Sequence, residues 1–179
     1  EWNGGFDGII ANGSLEHFCQ AEDALHGKQD EIYREMFDIF YQLLDPKSKS
    51  QRVATTAIHF SGERVSPAKV LLSPFLQMSD KKGFHFSILN RGYGGYYPIE
   101  QQLSNCAKGR FELVHEVDGT EDYKLTSEHW RRVYKKSFFT NPKFALELAK
   151  HFLKKPVHTF FVTASLIGPA SWAWQFRGT

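Results

Sequence analysis

A carboxylate and an imidazole stand side by side at Glu16-His17, just after an apolar run that closes on Asn12-Gly13-Ser14. Residues 6–11, Phe-Asp-Gly-Ile-Ile-Ala, read as a buried strand, and the polar turn after them as the loop presenting Glu16 and His17. In open α/β sheets ligands bind outside the carboxyl ends of the strands, so this loop is a place where chemistry sits. A second imidazole, His59, directly follows the β-branched run at residues 52–58. A carboxylate and an imidazole at one sheet edge suit general acid–base work. The same letters are also compatible with a plain strand and polar loop, in which Glu16 caps a helix and His59 is a satisfied core histidine.

The elements between these groups must bring them together. Residues 19–29 are polar and contain glycine, which suits a functional loop. Ile32, Met36, Phe37, Phe40 and Leu44 then recur at helical spacing over residues 30–44, stopping before Asp45-Pro46. Strand, helix and strand with short connections form a βαβ unit with parallel strands and a right-handed crossover. That topology carries His59 to the sheet edge that holds Glu16.

Beyond the second strand the pattern is less regular. Pro67 and Pro74 bracket a short helix at residues 68–72, and residues 83–90 lead into a flexible aromatic loop, Arg91-Gly92-Tyr93-Gly94-Gly95-Tyr96-Tyr97-Pro98. A helix is expected over 99–107, with Pro98 near its first turn, and an alternating strand over 111–117. Helices follow at 121–136 and 142–154. Residues 159–167 have strand propensities, Gly168-Pro169 breaks the chain, and residues 171–177 read as a final strand.

Composition narrows the classes. The chain has 179 residues, 41% hydrophobic and 15% aromatic, enough for one core and against disorder. A net charge of +2 from 22 basic and 20 acidic residues gives no global field for nucleic acid. The two cysteines, Cys19 and Cys106, are too few for a disulfide framework and fit a reducing compartment. No clustered His/Cys spacing suggests a metal site. There is no visible secretory leader, and no apolar run approaches the roughly twenty residues of a membrane span. The expectation is a cytoplasmic protein, soluble or peripheral on the inner face of a membrane.

Taken together, Phe6-Asp7, the apolar strand, the small polar turn and Glu16-His17-Phe18 resemble the fourth strand and following loop of class I S-adenosylmethionine-dependent methyltransferases. The likeness is greatest to the cyclopropane fatty-acid synthases and mycolic acid methyltransferases. Later segments repeat it in order. Gly94-Gly95-Tyr96-Tyr97-Pro98 is similar to that family's Gly-Gly-x-x-Pro element, on its substrate side, and Asp122-Tyr123-Lys124-Leu125-Thr126 with Trp130-Arg131 to its Tyr-x-x-Thr helix. Trp174-Gln175-Phe176 resembles its closing strand.

The resemblance implies a methyl transfer from a sulfonium to the π-bond of an unsaturated acyl chain, leaving a carbocation that must lose a proton. It implies a bound bicarbonate held by Glu16, His59 and Tyr123, with Glu16 sharing a proton to face the anion. Asn12, Gly13, Ser14 and His17 would lie on the cofactor side, with His17 orienting the loop. Residues 61–110 and 120–155 would form substrate-side helices and loops, and residues 159–167 a helix. Lys135-Lys136 and Lys154-Lys155 would meet anionic headgroups, or simply be solvated helix ends.

Two departures stand out. Ser165 occupies the position where the family often has a cysteine, and residues 104–108 are more polar than its pattern. The sequence also lacks the Gly-x-Gly-x-Gly turn and the acidic residue that hold the cofactor in this fold; Gly92-x-Gly94-Gly95 has no clear preceding strand. The expected fold is therefore α/β, the C-terminal half of a doubly wound Rossmann-like methyltransferase sheet with a helical substrate-side insertion. Its outer strand edge would pair with an N-terminal half or with a second copy. A small-molecule N-methyltransferase and a non-catalytic fragment or interaction module remain as alternatives.

Overall fold

The computed structural model describes residues 5–167 and Phe176. The chain divides into two units, each discontinuous in sequence: Glu1–Pro67 with Gly95–Glu116, and Ala68–Gly94 with Val117–Thr179.

The first unit is built on the expected βαβ. Strand β1 (Gly8–Asn12) and strand β2 (Arg52–Thr56) pair in parallel, with Gly8 opposite Arg52 and Asn12 opposite Thr56. Short helix α1 (Ala21–Leu25) and helix α2 (Gln29–Leu43) run between them. The chain just before β1 is held to the end of α2: Phe6 N–H donates to Leu43 O at 2.8 Å, and Asp45 N–H donates back to Phe6 O at 3.0 Å. Side chains alternate along β1, so Ile9 and Ala11 are half-buried while Ile10 is 82% exposed. The strand therefore covers one face only, where the sequence suggests a buried one. β2 is its one ladder partner among the described residues.

Helix α2 turns a stripe of Gln29, Tyr33, Met36 and Phe37 inward, with Leu44 buried just after it. This is one position round from the apolar stripe read from the sequence; Ile32 and Phe40 are half-buried at its border. Phe37 packs against Phe111 with ring centroids 6.0 Å apart, and Phe60 meets Tyr96 and Tyr97 at 5.6 and 5.7 Å. Helix α5 (Gln102–Ala107) starts three residues later than the periodicity suggests, because Ile99 N–H is capped by the Gln102 side chain at 3.0 Å and Gln101 takes a left-handed φ of 61°.

Residues 111–117 are not a strand. They run as irregular chain with Val114 and Val117 exposed. Alternation gives a segment strand character only where a neighbour accepts its ladder bonds, and among the described residues none does.

The second unit is helical. Helix α3 (Pro67–Leu71) leads into it, followed by α4 (Lys81–Tyr93), α6 (Thr120–Thr140), α7 (Pro142–Lys154) and α8 (Pro156–Ile167). Helix α4 continues through Arg91-Gly92-Tyr93, which the sequence suggests as loop. It ends on Gly94, whose φ of 72° and N–H to Asn90 O at 2.8 Å form the left-handed stop that glycine favours. Arg91 earns its place in the helix by capping α3: its guanidinium donates to Leu71 O at 3.0 Å and to Ser87 O at 3.1 Å. Residues 159–167 are helical despite their β-branched content. Against α4, the buried Ser165 hydroxyl donates to the Tyr93 hydroxyl at 3.1 Å. The final strand expected at 171–177 and the Trp174 match lie outside the described residues, apart from Phe176.

Asp80 starts α4. Its carboxylate accepts from Gly83 N–H at 3.0 Å and from Lys69 Nζ at 2.8 Å, and these bonds, the lysine first, hold its carboxyl below the usual carboxylate range. A group whose folded pKa is depressed stabilises above its unfolded pKa, and that contribution goes as pH falls through the folded value. Thermal melts should therefore show Asp80→Ala less stable than the parent at neutral pH, with the gap closing in strong acid. Asp80→Asn, which keeps an acceptor for Gly83, should lose less.

Candidate functional site

The site at the carboxyl edge of the β1/β2 pair is assembled from three segments of the first unit. After β1 the chain turns at Gly13, with a left-handed φ of 59°. Its N–H is committed to β2, donating to Thr56 Oγ1 at 2.9 Å and Thr56 O at 3.2 Å, and the Thr56 hydroxyl in turn donates to the Asn12 side chain. Asn12 and Gly13 thus lock the loop to the neighbouring strand. Ser14, whose side chain makes no capping bond, opens a single 3-10 turn at Leu15–His17. That turn buries Leu15 and Glu16 and leaves His17 exposed.

Glu16 is only 4% exposed, and its Oε2 meets no hydrogen-bond donor among the described residues. Buried carboxylate oxygens are ordinarily paired, since an unpaired one forfeits its hydration.

Segment 95–98 closes over this turn. Gly95 N–H donates to Gln20 Oε1 at 3.0 Å, Gln20 Nε2 donates to His17 O at 2.9 Å, and Tyr96 N–H donates to Cys19 O at 2.8 Å. From the other side, Gln29 at the start of α2 donates through Nε2 to Tyr97 O at 3.0 Å and to Tyr96 O at 3.2 Å. Residues 95–98 are all buried. The aromatic loop that the sequence suggests as flexible is, in this part, held by two glutamine amides. Gly95 has φ +80°, and a Cβ on it would stand 2.4 Å from Glu16 O, so backbone meets backbone where no side chain fits.

Behind the turn the interior is polar but protonated. Burial pushes the Tyr33 phenol well above its ordinary range, a nearby hydrogen bond from Gln29 opposes this, and the charges of Cys19, Glu16 and Cys106 add to the rise. Burial, reinforced by Asp23, lifts the Cys19 thiol to about 11, and burial also raises Cys106. Both cysteines are free and buried. These groups are neutral at physiological pH.

His59 lies three residues past the end of β2, on the same sheet edge as Glu16 by the parallel register. It is exposed, and its Nδ1 faces Phe60 O at 3.2 Å. A carbonyl only accepts, so Nδ1 is the donor in this contact. Tyr123 belongs to the second unit, half-buried on α6 between Trp130 and Phe176, with centroids 6.0 and 5.2 Å away. Ser165, at the expected cysteine position, is buried on α8. No three His, Cys, Asp or Glu side chains cluster as metal ligands among the described residues.

Gln20, Gln29 and Tyr33 escaped the sequence reading. For Gln29 a signal was present: it shares the inward stripe with Tyr33, Met36 and Phe37, and a polar residue on such a stripe marks a buried hydrogen-bonding role.

No family model, curated protein or solved structure matches this chain.

Two measurements test this geometry. Gly95→Ala should destabilise the chain by about 2 kcal/mol or more, from the positive φ and the contact with Glu16 O, as read by denaturant unfolding. Cys19 and Cys106 should resist iodoacetamide at neutral pH in the folded protein and react on unfolding, because raised thiol pKa values leave little thiolate.

Proposed function

We propose that this chain carries the proton-handling and acyl-side part of an S-adenosylmethionine-dependent C-methyltransferase or cyclopropane synthase acting on an unsaturated acyl lipid. The observation that carries the reading is Glu16: a buried carboxylate, beyond the carboxyl ends of parallel strands, with one oxygen that no described donor satisfies. A methyl cation equivalent added to a carbon–carbon double bond leaves a cation that is quenched by losing a proton. The base must sit away from bulk water.

Glu16 suits that environment. If it holds bicarbonate, as the resemblance implies, one oxygen accepts the anion's own proton while His59 Nε2, protonated, donates from the same sheet edge. Bicarbonate bound there would supply the proton acceptor. The third residue that the resemblance implies, Tyr123, belongs to the second unit, on α6. S-adenosylmethionine would supply the methyl group, and Ser14 and His17 are the side chains of the β1 loop not already committed to Thr56. Gly13 contributes shape rather than a free N–H. The buried Cys19, Tyr33 and Cys106 stay protonated and neutral, which spares Glu16 the repulsion of further anions.

No helix among the described residues is long and apolar enough to cross a membrane, so a lipid substrate would be met at a surface.

The test uses the protein as expressed from its gene, with methyl-labelled S-adenosylmethionine and vesicles of monounsaturated phospholipid. Label should enter the acyl fraction, and Glu16→Gln should lower the rate by about a hundredfold or more with an unchanged melting temperature. Label entering added amines instead would favour an N-methyltransferase. No transfer to either would overturn the enzymatic reading.

A further inference from the structure

Helix α7 is apolar on two sides, one packed against its unit and one exposed. Phe144, Ala145 and Leu148 form its half-buried inner side, with Phe144 edge-on to Tyr134 of α6 at 5.3 Å. On the outer side Leu146, Ala149 and Leu153 follow one another at i, i+3 and i+7, one line along the helix. All three are exposed, Leu146 by 56% and Leu153 by 83%. Beside that line runs another, Lys143, Lys150 and Lys154 at i, i+7 and i+11, with Lys155 just after the helix.

Within residues 142–155 four lysines face one acid, Glu147, a net of +3 with histidines neutral, whereas the whole chain carries +2. Lys150 pairs with Glu147 at 2.7 Å, and the other lysines of this segment add net positive charge beside the exposed Leu146 and Leu153. Large apolar side chains are also exposed at both ends of α7: Phe139 just before it and Val157 just after it.

We infer that the outer face of α7 is a docking surface for an anionic phospholipid bilayer, with the Leu146–Ala149–Leu153 line in the acyl boundary and the lysine row at the phosphate level. The charge pattern decides for this occupant. A lysine row along the flank of an apolar ridge lets the long aliphatic stems lie beside the leucines while the ammonium groups reach the phosphates. A convex ridge of small and medium aliphatic side chains offers a bilayer what it can accommodate without a complementary groove. The surface does not rest on the proposed reaction, since neither a methyl donor nor an acyl acceptor enters the argument for it.

The experiment is vesicle co-sedimentation of the full chain without S-adenosylmethionine. One set of vesicles is phosphatidylcholine alone, the other contains a third phosphatidylglycerol. Binding is expected to the second set, weakened by salt, with little to the first. The combined variant Lys143→Glu, Lys150→Glu and Lys154→Glu should lower the partition coefficient by on the order of a hundredfold or more. Leu153→Glu, at an exposed site, should lower it about tenfold while leaving the circular dichroism and melting curve unchanged. Equal binding to both vesicle sets, or charge variants that bind as the parent does, would overturn the inference. So would a parent dimer by light scattering that Leu153→Glu dissociates, since the strip would then be covered by a second copy. Failure here leaves the proposed methyl transfer standing, because that reaction is read by label and not by sedimentation.

Discussion

The first unit depends on two glutamine side chains, Gln20 and Gln29, that bind backbone rather than each other. Segment 95–97 contributes no regular ladder, yet its buried peptide groups must be satisfied. Gln20 takes the Gly95 N–H with its oxygen while its nitrogen holds the His17 carbonyl, and Gln29 takes the carbonyls of Tyr96 and Tyr97. One amide therefore ties the late segment to the turn that carries Glu16, and the other ties it to the first turn of α2. The position of the carboxylate follows from these bonds as much as from the strand that leads to it. Because both joints are neutral, they add no charge to an interior in which Glu16 keeps one oxygen unpaired.

The same economy governs the surroundings of that carboxylate. Tyr33 and the two cysteines are polar enough to fill a mixed interior and remain protonated under ordinary conditions. At the rim stands the exposed His59, its Nδ1 facing the carbonyl of the residue after it.

Much of this frame was legible in the letters because it is local. An apolar run, a 3.6-residue period and a β-branched run disclose β1, α2 and β2 in turn, and the short connections between them disclose the parallel pairing. Pro142 and Lys154 bound α7 as expected. What stayed hidden is non-local or depends on partners. Residues 111–117 alternate like a strand and have no described neighbour to make them one. Residues 91–93 look like loop because glycine and tyrosine are weak helix formers, but Arg91 gains three carbonyl partners by staying helical. The closing of segment 95–98 over Glu16 rests on contacts with residues some seventy positions earlier, and no window of sequence reports such a join. Tyr123 was legible only through family likeness, and it lies in the helical unit with Trp130 and Phe176 around it.

The discontinuity of both units bears on how the protein is made. The chain enters the second unit at Ala68, returns to the first at Gly95 and leaves it again after Glu116. During synthesis the Glu16 turn and α2 emerge first, yet Gln29 meets its carbonyl partners only once Tyr96 and Tyr97 have cleared the ribosome. Until then the amides of Gln20 and Gln29 and the apolar side of α2 lie open to water and to other chains. Local helices can form in that interval, but the long-range closure must wait. The first unit is thus completed only after residues 68–94 of the second have been made.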